Sequence, residues 1–384
     1  MLALALAGIA YWQRGIAVEQ RQIAERQRKR AEATLAAATA TSNSLVFDLA
    51  VRFRNTIGIP ASLIKEILDR ARALQEQLTK SGEATPDLKR SEGVALIETV
   101  DTLLAVGDTT GALAAAQQAK QILMDLLAGS PANTDWQRDL SVSYNRVGDV
   151  LVAQGKLDEA LKAYRDGLAI RERFAAADGS NTEWQRDLAV SYGKVGDMLV
   201  AQGKLDGALK GYRDGLGIFE RLAAADGSNT EWQRDLSVSY NRVGDVLVAQ
   251  GKLDEALKAY RDGLAIRERL AAADRSNTQW QRDLSISSEK VGNVLVAQGK
   301  LEEALKAYRD NLAIVERLAA ADPSNTEWQG DLWFSYNRVG DVLVAQGKLD
   351  EALKAYRDSL AIRERLAAAD PSNTEWQRDL SDSY

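Results

Sequence analysis

The chain has 384 residues, 45% hydrophobic and 27% charged, with 5 prolines and a formal net charge of −6. That balance excludes a disordered chain and gives no basic footprint for nucleic acid. Cysteine and histidine are both absent. Their absence removes disulfide frameworks, the familiar zinc sites, cysteine nucleophiles and Ser-His-Asp triads, so no catalytic residue, metal or cofactor is expected.

In chain order, residues 1–41 come first. Leu2 to Trp12 is an apolar run well short of the roughly 20 residues that span a bilayer, and basic residues follow it, from Arg14 to Lys29 and Arg30. Two readings stand. Residues 2–30 form a membrane anchor whose basic flank holds the rest of the chain on the cytoplasmic side, or the run is the apolar start of a long docked helix. The charged stretch behind it reads as a solvated helical stalk, its heptad pattern being too poor for a firm coiled coil. Residues 42–87 read as a helical linker.

From there the chain repeats itself. Trp136, Trp184, Trp232, Trp280, Trp328 and Trp376 recur every 48 residues, each inside a near-copy of one phrase. Residues 88–135 keep the frame weakly, with Gly107 standing 48 before Gly155, and read as a degenerate capping repeat. Five repeats fill 136–375, and 376–384 begins another. The composition is dominated by Ala, Leu, Glu, Lys, Gln and Arg, the strong helix formers. Within one repeat, Trp136, Leu140, Tyr144, Val147 and Leu151 give a first helix one apolar face. Thr134 and Gln137 are expected to form its capping box, and Gly155 ends it in a left-handed turn. A second helix runs from about Leu157 to Ala177, with Asp158 and Lys162 expected to pair on its wet side. Gly179, Gly227, Arg275, Pro323 and Pro371 share the connecting slot, so that slot needs a turn and no special dihedral angle. A lone pair of such helices cannot bury its apolar face, so neighbours must share a core.

Tyr144, Val147-Gly148, Leu151, Ala160, Tyr164 and Gly167, repeated as Tyr192, Val195-Gly196, Leu199, Ala208, Tyr212 and Gly215, resemble the pattern of the tetratricopeptide repeat family. The resemblance implies an all-α, right-handed superhelical solenoid of antiparallel helix pairs, with small residues letting paired helices approach closely. Two departures are visible. Glu172 stands where the family has its closing proline, and the 48-residue period exceeds the family's usual 34 by lengthening both helices, as in the kinesin light chain type. Ser288 replaces a tyrosine and should loosen the fourth repeat slightly. The arrangement as a whole resembles repeat arrays of bacterial caspase-like and Toll/interleukin-receptor-like signalling proteins.

The resemblance places first helices on a concave groove that takes a protein or peptide partner. The expected groove residues are Asn145, Asp149, Asp197, Asn241, Asp245, Glu289, Asn293, Asn337 and Asp341, with valines beside them. A basic ladder of Arg146, Lys194, Arg242, Lys290 and Arg338 runs alongside. Trp333 and Phe334 break the pattern and suggest a hot spot. The function expected is an interaction scaffold in a cytoplasmic signalling assembly, and not an enzyme, since carboxylates that recur in every repeat make no singular active site. An RNA-binding repeat array is the alternative, disfavoured by charge and period. Both ends of the chain read as cut, and the unpaired last helix invites end-to-end self-association.

Overall fold

A computed structural model describes residues 13–30, 85–370 and 373–381, with residues 34, 63, 66, 70 and 73. Leu2 to Trp12, most of the expected linker and Pro371 lie outside these residues. Among the described residues there are helices and turns and no strand, as the composition requires. The first helix, α1, covers residues 13–30 and is exposed throughout. No described helix is long and apolar enough to cross a membrane.

The repeats follow as helix pairs. They are α2 (Pro86–Ala105) with α3 (Thr109–Gly129), α4 (Thr134–Ala153) with α5 (Leu157–Ala177), and α6 (Thr182–Ala201) with α7 (Leu205–Ala225). Next come α8 (Thr230–Ala249) with α9 (Leu253–Ala273), α10 (Thr278–Ala297) with α11 (Leu301–Ala321), and α12 (Thr326–Ala345) with α13 (Leu349–Ala369). The start of a further first helix, α14 (Thr374–Ser381), closes the series. The chain divides into two compact units, residues 1–174 and 175–384. Within each, a second helix packs against its own first helix and against the first helix of the next repeat. At about 1.5 Å per residue the helices are roughly 30 Å long.

Each first helix starts one residue earlier than expected. Its N-cap is Asn133, whose side chain accepts from the Trp136 amide at 3.1 Å, and Asn181, Asn229, Asn277 and Asn325 do the same in their repeats. The threonine that the capping-box reading favoured is the first helical residue. The glutamine does not reach back to it. Gln185, Gln233, Gln281 and Gln329 instead donate to the carbonyls of Ala175, Ala223, Ala271 and Ala319, in the last turn of the preceding second helix. One side chain thereby joins a helix start to the loose carbonyls of a helix end.

The other ends follow the sequence closely. Gly155 has φ 73°, its amide bonds Val152 at 2.9 Å, and Lys156 bonds Leu151 at 2.8 Å, the paired bonds of a Schellman cap. In the connecting slot, Asp226, Asp274 and Asp322 each accept from the amide and hydroxyl of a serine two residues on. Arg275 fits there because the aspartate before it holds the turn. Lys162 bonds Asp166 at 2.9 Å, one turn later than the expected Asp158, which sits in the helix's first turn where free amides favour its charge.

Small residues close the pairs. A Cβ at Gly148 would lie 2.5 Å from the Tyr164 ring, and Gly244 and Gly292 are crowded equally by Tyr260 and Tyr308. Gly148 lies against Tyr164, and Ser141 against Arg171. The contacts run in reverse order along the two helices, so the pair is antiparallel. Between repeats the core is Leu, Ile, Val and Ala. Val315, Ala319, Leu332, Ile362 and Leu366 form one such cluster, with Trp328 and Trp376 against it.

Candidate functional site

At 3.6 residues per turn, the buried stripe of a first helix leaves an opposite stripe uncovered. In α8 that stripe carries Val238, Arg242, Asp245 and Val248. The equivalents are Val190, Lys194, Asp197 and Val200 in α6, then Ile286, Lys290, Asn293 and Val296 in α10, and Phe334, Arg338, Asp341 and Val344 in α12. Val200, Val248, Ile286, Val296 and Val344 are all exposed, and make up most of the exposed large apolar side chains between residues 85 and 370. Two apolar rows therefore border a polar centre.

The polar centre is bound to itself. Tyr212 donates to Asp197 at 2.6 Å, and Arg242 of the next repeat donates to the other oxygen at 3.1 Å. Tyr260 and Lys290 likewise converge on Asp245, both donating to its Oδ1. Each cation also lies over the tyrosine ring, at 5.9 Å for Arg242 on Tyr212 and 5.6 Å for Lys290 on Tyr260. In the first unit, Arg146 bonds Asp101 at 2.9 Å and Asp149 at 3.3 Å, and Tyr164 donates to Asp149. Tyr308 donates to Asn293 at 2.6 Å and Tyr356 to Asp341 at 2.7 Å. Burial, then in Tyr356 the bond to Asp341, pushes the phenols of Tyr308 and Tyr356 up to about 12. Tyr212 and Tyr260 rise further for the same reasons, burial first. Arg146, Arg242 and Lys290 of the ladder thus tie one repeat to the next through these aspartates.

Two residues expected on the groove lie elsewhere. Asn145 and Asn241 are each 6% exposed, and they serve buried arginines that the sequence reading missed. Arg267 in α9 is buried, and its Nε donates to Ser237 Oγ at 3.1 Å. Its Nη1 donates to the Asp283 carbonyl at 2.6 Å and to Ser287 Oγ at 2.8 Å. Asn241 donates to that same Ser287 oxygen at 3.4 Å. Arg171 is buried likewise and bonds Ser141 Oγ at 3.1 Å. With its amide oxygen turned to the guanidinium, Asn145 accepts from Arg171 at 3.0 Å. Glu289 takes the asparagine's place in α10, and there the polar link comes from Asn311, which donates to the Ser285 carbonyl and accepts from Ser335.

The signal was present in the repeat itself. The slot of Arg171 holds Phe219, Arg267, Val315 and Arg363 in turn, while that of Asn145 holds Gly193, Asn241, Glu289 and Asn337. Arginine occurs only with asparagine.

Trp333 and Phe334 stand where other repeats have Ser-Val, Ala-Val or Ser-Ile. Their rings meet edge to face, with centroids 5.9 Å apart and planes at 79°. The Arg363 guanidinium lies 3.8 Å over Trp333 and that of Arg338 lies 4.5 Å over Phe334, distances at which a cation is held by the ring face. With Asn337, Asp341 and Leu360 they line a cleft of about 550 Å³. Hence Trp333, Phe334, Asn337, Arg338 and Asp341 of the expected residues come together. Among the described residues no cluster of acidic side chains could hold a metal ion.

No curated protein matches the sequence. Among solved structures, the apo form of RapI matches with 13% identity over 88% of this chain and 84% of its own, at a TM-score of 0.59. A signal transduction ATPase with numerous domains from Pyrococcus horikoshii, which bears a tetratricopeptide repeat sensor, matches with 13% identity over 87% of this chain and 44% of its own, at 0.57. BtubC (BKLC) from P. vanneervenii matches with 17% identity over 66% of this chain and 90% of its own, at 0.52. At these identities the likeness concerns the fold. The tetratricopeptide repeat model matches the sequence itself, over residues 140–173, 236–274, 289–323 and 335–371. Those four stretches hold the glycine–tyrosine contacts and the left-handed glycine helix ends described above, and they are tetratricopeptide repeats.

Proposed function

We propose that the chain is a protein-interaction scaffold that takes an extended segment of a partner along the uncovered stripe of its first helices, with Trp333 and Phe334 as the anchor. The observation that carries this reading is the division of the stripe. Its charges are satisfied internally, whereas the row of Val200, Val248, Val296 and Val344 is exposed, the opposite row is half-buried with Ile286 exposed, and both would gain by being covered. The aromatic cleft at the end of those rows has the character of a hot spot, in which large rings buried by a partner supply most of the affinity. Arg338 and Arg363 stack on the rings and favour a partner with an acidic residue beside an apolar one.

Asp197, Asp245, Asn293 and Asp341 of the stripe serve the chain's own tyrosines, so backbone recognition of the guest falls first to Asn337, which lines the aromatic cleft. A signalling assembly is the setting we favour, since the Pyrococcus horikoshii neighbour carries such repeats as a sensor. RNA binding gains no support, because Arg146, Arg242 and Lys290 are engaged with carboxylates.

The test is co-isolation from the source cells of wild-type chain against W333S/F334V, which installs the pair found at Ser237 and Val238. The variant should fold with an unchanged circular dichroism spectrum and lose a stoichiometric partner. A partner retained at equal yield removes the anchor from the scheme.

A further inference from the structure

Between the fourth repeat and its predecessor a tyrosine is missing, and the structure shows what its absence leaves behind. In α8, Tyr240 reaches across to the preceding second helix and donates to Glu220 at 2.8 Å. In α12, Tyr336 does the same to Glu316 at 2.6 Å. Tyr336 packs against the cluster of Leu332 and Ile362, with Leu312 beside it. Burial, then the glutamate bond, raises both phenols, and Asp262 and Asp358 add to the shift through space. These are tyrosine slots with an apolar floor and an acceptor at the rim.

In α10 the same position is Ser288. The groups that would enclose the ring are all kept. Leu264, Leu284 and Ile314 stand where Leu312, Leu332 and Ile362 surround Tyr336, and Glu268 and Asp310 stand where Glu316 and Asp358 face it. They line an open cleft of about 390 Å³. An aromatic side chain has been lost while its receptor has been retained.

We infer that the cleft at Ser288 is a binding site for a tyrosyl side chain of a partner protein, inserted ring first with its hydroxyl donating to Glu268. The occupant is argued from the chain's own repeats, which show twice what these walls and this acceptor accommodate. Phenylalanine would fill the floor and leave the carboxylate unanswered. A phosphotyrosine would set its charge against Glu268 and Asp310 and be excluded, so modification of the partner would release it. The site lies among α9, α10 and α11, away from Trp333, and does not rest on the reading of the first-helix stripe.

The experiment uses the full chain with p-cresol, the tyrosine side chain alone, followed by calorimetry and by chemical-shift perturbation. We expect weak saturable binding that raises the melting temperature. Toluene, which lacks the hydroxyl, should bind about tenfold more weakly, as the loss of one charge-assisted hydrogen bond requires. N-acetyl-tyrosinamide should bind at least as well as p-cresol, and its phosphorylated form should not bind. S288Y should abolish binding and itself melt higher. Y240S, which reproduces the cleft one repeat earlier, should bind two p-cresol molecules where the wild type binds one, and decides the matter if S288Y does not fold. Absence of binding up to the solubility of p-cresol, equal binding to S288Y, or no second site in Y240S overturns the inference. Binding of p-cresol without N-acetyl-tyrosinamide overturns the assignment to a protein side chain.

Discussion

Arg267 keeps its charge in a place that punishes charge. Burial lowers its pKa, but guanidinium is so strong a base that it stays protonated. Three oxygens, on Ser237, Ser287 and the Asp283 backbone, replace the water it gave up. Arginine is therefore tolerated here through a network, and the second repeat fills the same slot with Phe219 and the asparagine's slot with Gly193. Either solution should work as a set and fail in halves. R267F alone should destabilise by about 1–3 kcal/mol, and N241G alone by a comparable amount. The double variant R267F/N241G should recover about 1 kcal/mol or more of the summed loss. Urea titration of the four proteins measures the coupling, and strict additivity would show that the asparagine and arginine are independent. A reading of one repeat by hydrophobic period puts Asn241 on the wet side, because polar residues default to solvent. Only its pairing with a distant arginine, repeat after repeat, reveals that it faces inward.

At the scale of the element, the long helices could be read almost to the residue, since period, glycine and capping chemistry all agree. The start of the first helix was displaced by one position because the phrase Ser-Asn-Thr offers three residues able to cap. The structure resolves the choice physically. Asp226 has already used Ser228 to close its turn, leaving Asn229 as the boundary and Thr230 inside the helix. N229A should accordingly cost about 1 kcal/mol, while T230A should stay within about 0.5 kcal/mol of wild type. Chemical denaturation of both checks the assignment, and the opposite order would return the cap to threonine. The glutamine bridges were beyond sequence reading for a different reason. Their acceptors are carbonyls of the preceding helix, whose approach depends on how neighbouring pairs stack. The same reason hid the cleft at Ser288: one repeat taken alone shows a lost aromatic residue, whereas the intact walls around it belong to three helices.

For the molecule as a whole, stability in a repeat array resides largely in nearest-neighbour interfaces, and here those interfaces are joined by phenols. Within the second unit, Tyr212, Tyr240, Tyr260, Tyr308, Tyr336 and Tyr356 are all raised, with burial the first cause in each. In Tyr240 and Tyr336 the hydroxyl bridges two repeats, and in Tyr212 and Tyr260 the ring carries the next repeat's cation. Because the folded pKa lies above the unfolded value of about 10, the neutral phenol is the form that folding favours. Its stabilising contribution is fully present below about pH 10 and is lost as the pH climbs through the folded values, about 12 for Tyr308 and Tyr356. The exposed ion pairs of the second helices, Arg213 with Glu255, Arg261 with Glu303 and Arg309 with Glu351, cannot compensate, each being worth at most about 1 kcal/mol. The melting temperature should thus be nearly flat from pH 7 to pH 10 and fall steeply above it, with phenolate absorbance rising in step with the loss of helix. Replacing Tyr240 and Tyr336 by phenylalanine should lower stability at neutral pH, where two hydrogen bonds are lost, yet make the alkaline fall shallower. If instead the phenols titrate near pH 10 while the helices persist, the tyrosines are ornaments on an interface held by its leucines and valines alone.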